Sequence, residues 1–251
     1  MPIMWWRKAK ADTNDNAPVD PKAPLIRLEH VSKVFEGDAD EETRALDDVS
    51  VEIRAGEFIT VTGPSGCGKS TFLSILALLD TPTSGRYLFS GRRTDQLTPA
   101  QKARMRNVEI GMVFQSFNLI GDMTVTENIE YPLVIRGVPP HERSERVAAA
   151  LDRVGLTARG KHRPGSLSGG HQQLVAVARA IAGRPAILLA DEPTGNLDSK
   201  SGEGLMQMFS ELHKSGSTLC IATHDPRWYR ESQRTIHLFD GKVVAGPPAE
   251  A

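Results

Sequence analysis

Two glycine-rich segments that lie far apart in the chain carry the residue types that bind phosphate. The first is GPSGCGKST, residues 63–71, with an apolar run before it and an amphipathic run after it. Backbone N–H groups of such a loop converge on phosphate oxygens, and the positive end of the following helix dipole adds to the attraction. Lys69 is spaced to reach the β- and γ-phosphates of a nucleotide, and Ser70 to ligate Mg²⁺. The residues predicted to contact the nucleotide are Gly63, Pro64, Ser65, Gly66, Cys67, Gly68, Lys69, Ser70 and Thr71.

The second segment is LSGGHQQLVAVARA, residues 167–180, and it has the pattern of another helix start suited to an anion. Ser168 is a typical N-cap residue, and Gly169 and Gly170 leave room for a ligand to approach the backbone. The apolar helical stripe that follows consists of Leu174, Val177, Ala178 and Ile181. One nucleotide needs only one such cradle, so the second helix start needs an explanation of its own.

Two carboxylates close the apolar run ILLADE, residues 187–192. In a nucleotide site, Asp191 suits the outer coordination sphere of Mg²⁺, and Glu192 suits the polarisation of a water for in-line attack on the γ-phosphate. Taken alone, an apolar run that ends in Asp-Glu is equally consistent with an ordinary strand end. Combined with the loop at residues 63–71, it predicts a catalytic pair.

Two further polar residues follow apolar runs. His224 closes TLCIAT, and beside a nucleotide it is predicted to sense the γ-phosphate, although a single histidine in such a place is usually structural. Gln115 closes IGMVF, at the junction between the core and a helical stretch. From there it is predicted to bond Mg²⁺ and the attacking water, and so to report the γ-phosphate to the helices. By itself Gln115 is only a polar residue at a strand end.

Composition excludes several classes of partner and location. The 251 residues include 30 Lys and Arg against 31 Asp and Glu, and this balance creates no field that would attract a nucleic acid. Cys67 and Cys220 lack metal-ligand spacing, and a disulfide at Cys67 would obstruct the phosphate loop, so a reducing cytosol is predicted. The apolar runs are far shorter than the about 20 residues of a membrane-spanning helix. The N-terminus also lacks the apolar region of a signal peptide.

The N-terminal residues 1–24 are predicted to form a disordered tail, since they lack sustained periodicity and have prolines at 18, 21 and 24. Trp5 and Trp6 stand beside basic residues, a combination that suits a membrane interface. A frayed terminus is the simpler interpretation of the same residues.

From residue 25 onward, strand and helix patterns alternate on both sides of a mainly helical stretch. This pattern predicts an α/β protein: a P-loop NTPase core with a mainly parallel sheet, N-terminal antiparallel β strands and an inserted helical subdomain. The predicted domain covers residues 25–251, with its core at 25–115 and 185–245 and the helical subdomain at about 116–184. The same context disfavours a plain glycine turn at residues 63–71.

Taken in chain order, these motifs resemble the ATP-binding subunits of ABC transporters. The shared set is GPSGCGKST, Gln115, LSGG, ADE, GNLD at residues 195–198, and His224. The resemblance runs from about residue 25 to about residue 244, and LSGG together with a phosphate loop is highly specific. Within the family, the segments LLDTPTSG, FQSFNLI and PTGNLDSKSG look like the branch that covers lipoprotein release, macrolide export and the cell-division ATPase.

The resemblance implies a homodimer that closes around two ATP molecules and Mg²⁺. Ser168, Gly169 and Gly170 of one subunit would cap the γ-phosphate held by the phosphate loop of the other, which would explain the second helix start. Asp198 would lie at the seam between the subunits. Phe35 takes the place of an aromatic residue that stacks on adenine, with Phe instead of the commoner Tyr.

The resemblance also assigns chemical roles. Glu192 would act as the general base, and Lys69 with the loop amides would stabilise the charge that develops on the phosphates. His224 would hold the γ-phosphate, and Gln115 would relay its presence.

Two departures from the family pattern lie on the LSGG helix. The family usually reads LSGGQ, whereas this chain has His171, and three positions on it has Leu174 where Arg is common. Ser168 and the backbone N–H groups remain, so the main phosphate contacts are retained. We expect weaker closure across the dimer and a slow but active ATPase.

The predicted function is ATP hydrolysis that powers a separate membrane permease, with the chain bound peripherally at the cytoplasmic face of the inner (plasma) membrane. An alternative is a regulatory ABC ATPase that signals through a membrane partner without moving a solute, and the motifs are the same for both. Soluble ABC ATPases that act on DNA or ribosomes carry two cassettes or a long coiled-coil insertion, and this sequence has neither. LSGG and the lack of an evident acceptor-binding lid also disfavour a P-loop kinase.

Overall fold

The computed structural model describes residues 23–37 and 42–246. The predicted tail at residues 1–24, with Trp5 and Trp6, lies outside the described residues except for its last two positions. The strands are β1 (Ile26–Glu36), β2 (Glu42–Ile53), β3 (Phe58–Thr62), β4 (Ser84–Phe89), β5 (Arg92–Arg93), β6 (Ile110–Val113), β7 (Ile187–Asp191), β8 (Leu219–Ala222), β9 (Arg234–Phe239) and β10 (Lys242–Val244). The helices are α1 (Lys69–Leu76), α2 (Pro99–Glu109), α3 (Val125–Ile135), α4 (Pro140–Arg153), α5 (Gly169–Ala182), α6 (Ser199–Lys214) and α7 (Arg227–Glu231).

An antiparallel sheet with the strand order β2-β1-β4-β5 forms one layer. The alternation of apolar and polar residues that predicted β1 and β2 places Ile26 and Leu28 on the buried side. A register shift after Leu28, where His30 has positive φ, buries Val31 as well. These two strands pair over most of their length, so the N-terminal antiparallel strands lie where the sequence predicted them.

The second sheet has the order β10-β9-β3-β8-β7-β6, and every neighbouring pair in it is parallel except β9 with β10. β9 and β10 form a hairpin in which Asp240 and Gly241 both have positive φ, as a tight Asp-Gly turn requires. The carboxyl ends of β3, β6, β7 and β8 therefore face one edge of the sheet.

The strand β7 contributes to both hydrophobic cores. Ile187 and Leu189 belong to a cluster between the two sheets, which also includes residues of α1. Leu188 and Ala190 point the opposite way, into a cluster formed with α3, α4, α5 and α6. Since both faces of β7 are buried, the strand reads as a continuous apolar run instead of an alternating one.

The helices α3, α4 and α5 lie between β6 and β7 in the chain, within the stretch predicted to be the helical subdomain. α5 packs against α3, α4 and β6. The start of α3 is fixed by a capping box, in which Thr124 accepts a hydrogen bond from the Glu127 N–H and the Glu127 carboxylate accepts one from the Thr124 N–H. Among the residues that the structure describes, no helix is long and apolar enough to cross a membrane.

Candidate nucleotide-binding site

The segment 63–68 joins the carboxyl end of β3 to the start of α1. All five residues of β3 are buried, and β8 and β9 pair with it on either side, so the loop starts from a fixed point within the sheet. Gly68 precedes α1 in a left-handed conformation with φ of 102°, and no side chain caps the helix. The first N–H groups of α1 are therefore available to an anion.

Two glycines of this loop have no room for a side chain. A Cβ on Gly63 would lie 2.0 Å from the carbonyl oxygen of Leu238 on β9. A Cβ on Gly68 would lie 2.3 Å from the carbonyl oxygen of Ala45 on β2. The backbone of each sheet therefore lies in close contact with the loop, and only glycine permits this close approach at both positions.

Lys69 folds back over the loop that precedes it. Its Nζ donates to the carbonyl oxygens of Gly63 at 2.8 Å and of Pro64 at 3.0 Å. These bonds hold the ammonium group across the loop, where the β- and γ-phosphates of a nucleotide were predicted to lie.

Asp191 and Ser70 fit a divalent cation. Burial raises the pKa of the Asp191 carboxyl and the neighbouring charge of Glu192 acts in the same direction, while a hydrogen bond from Ser70 and the charge of Lys69 oppose the rise. The Oδ1 atom of Asp191 is buried without a hydrogen-bond partner. A buried acceptor of this kind is costly unless something pairs with it, and Mg²⁺ prefers carboxylate and hydroxyl oxygens. These residues therefore fit the predicted metal.

Gln115 lies two residues beyond the end of β6, and its side chain is exposed. Its Nε2 lies 3.4 Å from Oδ1 of Asn196, and Nδ2 of Asn196 donates to the Gln115 carbonyl oxygen at 3.1 Å. Among the described residues it has no hydrogen bond to Ser70 or Asp191. The structure thus brings Gln115 to the GNLD segment, and its contact with Mg²⁺ stays a prediction.

Glu192 and His224 form a hydrogen-bonded pair at the ends of β7 and β8. Oε1 of Glu192 lies 2.9 Å from Nδ1 of His224, and the backbone N–H of His224 donates to Oε2 at 3.4 Å. The carboxylate is 18% exposed and the ring 75% exposed. Glu192 has a left-handed backbone with φ of 43°, and its N–H donates to the Ala222 carbonyl at 2.8 Å. A non-glycine residue in this region costs on the order of 1–3 kcal/mol, and such strain is concentrated at functional sites.

Phe35 lies on β1 with 42% of its surface exposed. The Nζ atom of Lys33 lies 4.8 Å from the centre of its ring, a cation–π contact, and the same ammonium group donates to Asp80 at 2.7 Å. The ring is therefore supported from one side and accessible to solvent, as a stacking platform for adenine requires. The role of Phe35 stays a prediction.

Ser168 is the N-cap of α5, as the sequence predicted. Its Oγ accepts a hydrogen bond from the N–H of His171 at 3.4 Å and lies 3.0 Å from Nδ1 of the same residue. Among the described residues, no hydrogen bond joins residues 168–170 to the loop at 63–71. Within the described part of one chain, the two helix starts are therefore not hydrogen-bonded to each other, and the capping of a partner's nucleotide by Ser168, Gly169 and Gly170 stays a prediction.

Asp198 has a structural role in addition to its predicted place at a dimer seam. It caps α6 by accepting hydrogen bonds from the N–H of Ser201 at 2.9 Å and from its hydroxyl at 2.7 Å. These bonds lower the pKa of the Asp198 carboxyl. A Cβ on Gly170 would lie 2.8 Å from Ser201 Oγ, so the starts of α5 and α6 lie side by side.

Gln173 was not predicted, and it connects three parts of the site. It is fully buried, and its Nε2 donates to the carbonyl oxygens of Phe114 at 3.2 Å and Pro193 at 2.7 Å. These two residues adjoin Gln115 and Glu192 in the chain. The sequence does contain a signal for Gln173, because it is a polar residue at a position where the helical period predicts the buried side of α5.

Arg179 is a second residue that sequence analysis missed. Burial lowers the pKa of its guanidinium, which donates to the carbonyl oxygens of Phe117 and Asn118. Both of these residues have positive φ. Arg179 therefore holds the segment that follows Gln115 in a sharply turned conformation.

The family model described as ABC transporter matches residues 46–195. The chain belongs to the ABC transporter family. Matches to curated relatives extend beyond these limits. The chain is 44% identical over 222 residues to the macrolide export ATP-binding/permease protein MacB of Hyphomonas neptunium, a match that covers 88% of this chain and 34% of that protein. It is also 44% identical to an uncharacterized ABC transporter ATP-binding protein of Thermotoga maritima over 87% of this chain and 93% of the other.

This ABC ATPase chain thus spans about a third of the length of the MacB relatives. Among solved structures, the dimeric structure of the bacterial ABC transporter cassette MJ0796 matches with a TM-score of 0.81 and 42% identity, covering 87% of this chain and 96% of the other. A post-hydrolysis state of that cassette, bound to ADP and Pi, matches with a TM-score of 0.80 and 41% identity over the same shares. The predicted fold class, the family and the assignment as an ATPase are confirmed.

Proposed function

We propose that this ABC ATPase works as a homodimer whose closure around two molecules of Mg·ATP drives a membrane permease. The observation that carries the proposal is the pair of helix starts. α1 has no side-chain cap, and α5 begins with Ser168, Gly169 and Gly170, yet no hydrogen bond among the described residues joins the two. Two copies arranged head to tail place the α5 start of each against the loop of the other. Each nucleotide is then held from both sides.

In each composite site, the loop N–H groups and Lys69 hold the β- and γ-phosphates, and Ser70 and Asp191 hold Mg²⁺. Mg²⁺ held by these two residues would supply positive charge against the negative charge that develops on the phosphates during transfer. The start of α5 from the other subunit adds positive potential at the γ-phosphate, in the manner of an arginine finger.

Glu192 polarises the attacking water and accepts its proton as the water oxygen bonds to the γ-phosphorus and the bond to ADP breaks. His224 orients the carboxylate of Glu192 through Nδ1 and through its backbone N–H. Loss of the γ-phosphate removes the group that both subunits hold, so hydrolysis favours opening of the dimer.

The groove between α2 and α3 suits a segment of the permease. It has a volume of about 360 Å³ and is lined by residues of both helices and of β6. Tyr131 and Ile135 of α3 are 43% and 63% exposed there. Arg136 also lines the groove, and its guanidinium donates to the carbonyl oxygens of Asn107 and Gly183. The MacB relatives carry ATP-binding and permease functions under one name, which supports a membrane partner at the cytoplasmic face.

The decisive experiment measures assembly with hydrolysis blocked. We expect the Glu192→Gln variant to be monomeric with Mg·ADP and dimeric with Mg·ATP by sedimentation velocity. Lys69→Ala in the same background should stay monomeric, because the phosphates lose their cation. A Glu192→Gln chain that remains monomeric with saturating Mg·ATP would contradict the proposal.

The permease interface is tested separately. Ile135→Asp should leave ATP-driven dimerisation intact and prevent co-purification of a membrane permease with this chain. Retained co-purification would place that interface elsewhere.

A further inference from the structure

His171, the residue that departs from the usual LSGGQ pattern, contacts the cap serine of its own helix. Its Nδ1 lies 3.0 Å from Ser168 Oγ, and its backbone N–H donates to the same oxygen at 3.4 Å. The contact follows from the helix itself, since residues three apart in the first turn are neighbours. The Ser168 hydroxyl, which is predicted to meet a phosphate, thus already contacts the His171 ring. Whether Nδ1 donates to this hydroxyl or accepts from it depends on which ring nitrogen carries a proton.

The hydrogen-bonding capacity of the two groups defines two states. A serine hydroxyl has one hydrogen to donate, and its oxygen can accept two hydrogen bonds. When Nδ1 is unprotonated, it accepts the hydrogen of Ser168, and no donor remains for an anion. When Nδ1 carries a proton, the ring donates to Oγ, and the hydroxyl hydrogen is free to point away from the helix.

We propose that His171 is a positioning residue whose Nδ1 proton determines whether Ser168 can donate to the γ-phosphate bound by the partner subunit. The inference rests on the proposed function, since it requires Ser168 to face a phosphate across the dimer. A γ-phosphate selects the state in which Nδ1 is protonated. A charged ring is always in that state, whereas a neutral ring must first take up a proton or move its own hydrogen from Nε2 to Nδ1. In this chain His171 therefore makes dimerisation sensitive to pH, whereas an amide side chain at the same position has an N–H donor at every pH.

The elements around the start of α5 also carry charges. These groups are Glu127 at the start of α3, Arg163 in the preceding turn, and Asp198 and Lys200 at the start of α6. Glu127 is engaged by its capping box and Asp198 by Ser201. Among the described residues, the one polar contact of the His171 side chain is Ser168.

The test uses the Glu192→Gln chain with saturating Mg·ATP, and it measures the dimer dissociation constant at about pH 6 and about pH 8.5, which bracket the range in which histidine changes charge. With His171 present, we expect the dimer to be tighter at the lower pH by up to about a hundredfold, because each of its two sites can gain about tenfold, the size of one hydrogen bond to a charged group. With His171→Gln added, the contribution of His171 to the pH dependence should be lost, so the ratio of the two constants should fall. At the higher pH the dissociation constant of this variant should also be smaller than that of the parent.

Two controls separate this mechanism from other effects. His141→Gln removes an exposed histidine of α4 and should leave the pH dependence unchanged. Ser168→Ala should abolish the effect of His171→Gln, because the hydroxyl is then absent. His224 is present in every arm, so its contribution is common to all the chains that are compared.

The outcomes are distinct. An equal pH dependence with and without His171 means that His171→Gln changes the dissociation constant by the same factor at both pH values. That result would overturn this inference and leave the proposed function standing. A chain that forms no dimer at any pH would overturn the proposed function and this inference with it.

Discussion

Nδ1 of His224 lies 2.9 Å from Oε1 of Glu192, although 32 positions separate the two residues in the chain. The contact exists because β7 and β8 are parallel neighbours whose carboxyl ends meet at one edge of the sheet. His224 contacts both oxygens of the carboxylate, Oε1 through its ring and Oε2 through its backbone N–H, and each oxygen has a further lone pair that can accept a hydrogen bond from water. The pair thus combines orientation and proton transfer in two side chains.

Glu192→Gln should lower turnover by roughly 10²–10⁴-fold, the usual contribution of a positioned general base. Binding of a fluorescent ATP analogue should stay within about twofold, because the phosphate loop does not depend on this carboxylate. Phosphate release and nucleotide titration measure the two effects. Turnover close to that of the parent would remove Glu192 from the role of base.

Asp191→Asn should separate metal binding from stability. Burial, the largest cause, raises the pKa of Asp191 above its ordinary 3.8. An acid with a raised folded-state pKa disfavours folding at pH values above that pKa, and this penalty disappears as the pH falls through it towards 3.8. The metal-free variant should therefore have a higher Tm than the parent near pH 7, and the difference should shrink on acidification.

Addition of Mg·ATP should reverse this order, since Asp191 gains a cation that asparagine holds poorly. Thermal unfolding followed by circular dichroism, with EDTA and then with Mg·ATP, measures both effects. An equal rise in Tm for both chains on addition of Mg·ATP would show that Asp191 does not hold the metal.

Phe35→Ala should weaken ATP binding by about 5- to 100-fold, because stacking of a base on an aromatic ring is worth about 1–3 kcal/mol. Phe35→Tyr restores the ring and should bind as the parent does. Competition titration against a fluorescent nucleotide provides the comparison. If alanine and tyrosine give the same affinity, adenine stacks elsewhere.

Gln173→Met should reduce turnover and the cooperativity of ATP hydrolysis. The change removes the hydrogen bonds from α5 to the carbonyls of Phe114 and Pro193 while nearly keeping the side-chain volume. The neighbouring Gln172→Met is a matched control, since the Gln172 side chain donates to the carbonyl of Leu167, just before its own helix. The Hill coefficient, which cannot exceed two for two sites, should fall towards one only in the first variant.

Since burial of unpaired carbonyls costs about 1–3 kcal/mol, the Tm of both glutamine variants should be measured beside the kinetics. A Gln173→Met chain that stays folded and as cooperative as the parent would contradict the assigned link.

The double change His171→Gln with Leu174→Arg should raise turnover if closure of the dimer limits the rate. Leu174 is partly buried against the helical core cluster, so the arginine must direct its charged end to solvent for the variant to remain stable. The His171→Gln change alone avoids this complication. Steady-state phosphate release compares the two variants with the parent, and an unchanged rate in both would show that closure does not limit turnover.

Sequence patterns predicted much of the fold because local rules determine it. The glycine loop, the buried β3 before it and the two-sided burial of β7 follow from spacing and periodicity alone. Ser168 was predicted to cap α5 because an N-cap is a property of a few consecutive residues.

Contacts between remote segments could not be predicted in the same way. Gln115 meets Asn196, and Gln173 meets Phe114 and Pro193, only because parallel strands bring their ends together. The partners of these amides are mostly backbone carbonyls, and since every residue has one, the amino-acid sequence gives no sign of such a contact. The contact between His171 and Ser168 is local, yet the sequence analysis considered the histidine only as a departure that weakens closure and did not predict that its ring contacts Ser168.

The strand β7, which carries Asp191 at its end and is followed by Glu192, lies between two hydrophobic clusters. Its successive side chains pack alternately into one cluster and the other. Sliding β7 along its axis by one residue would turn every one of its apolar groups toward the wrong layer. In the proposed cycle we therefore expect the two carboxylates to keep their positions. The turn after Gln115 and the first turn of α5 are the parts that we expect to move.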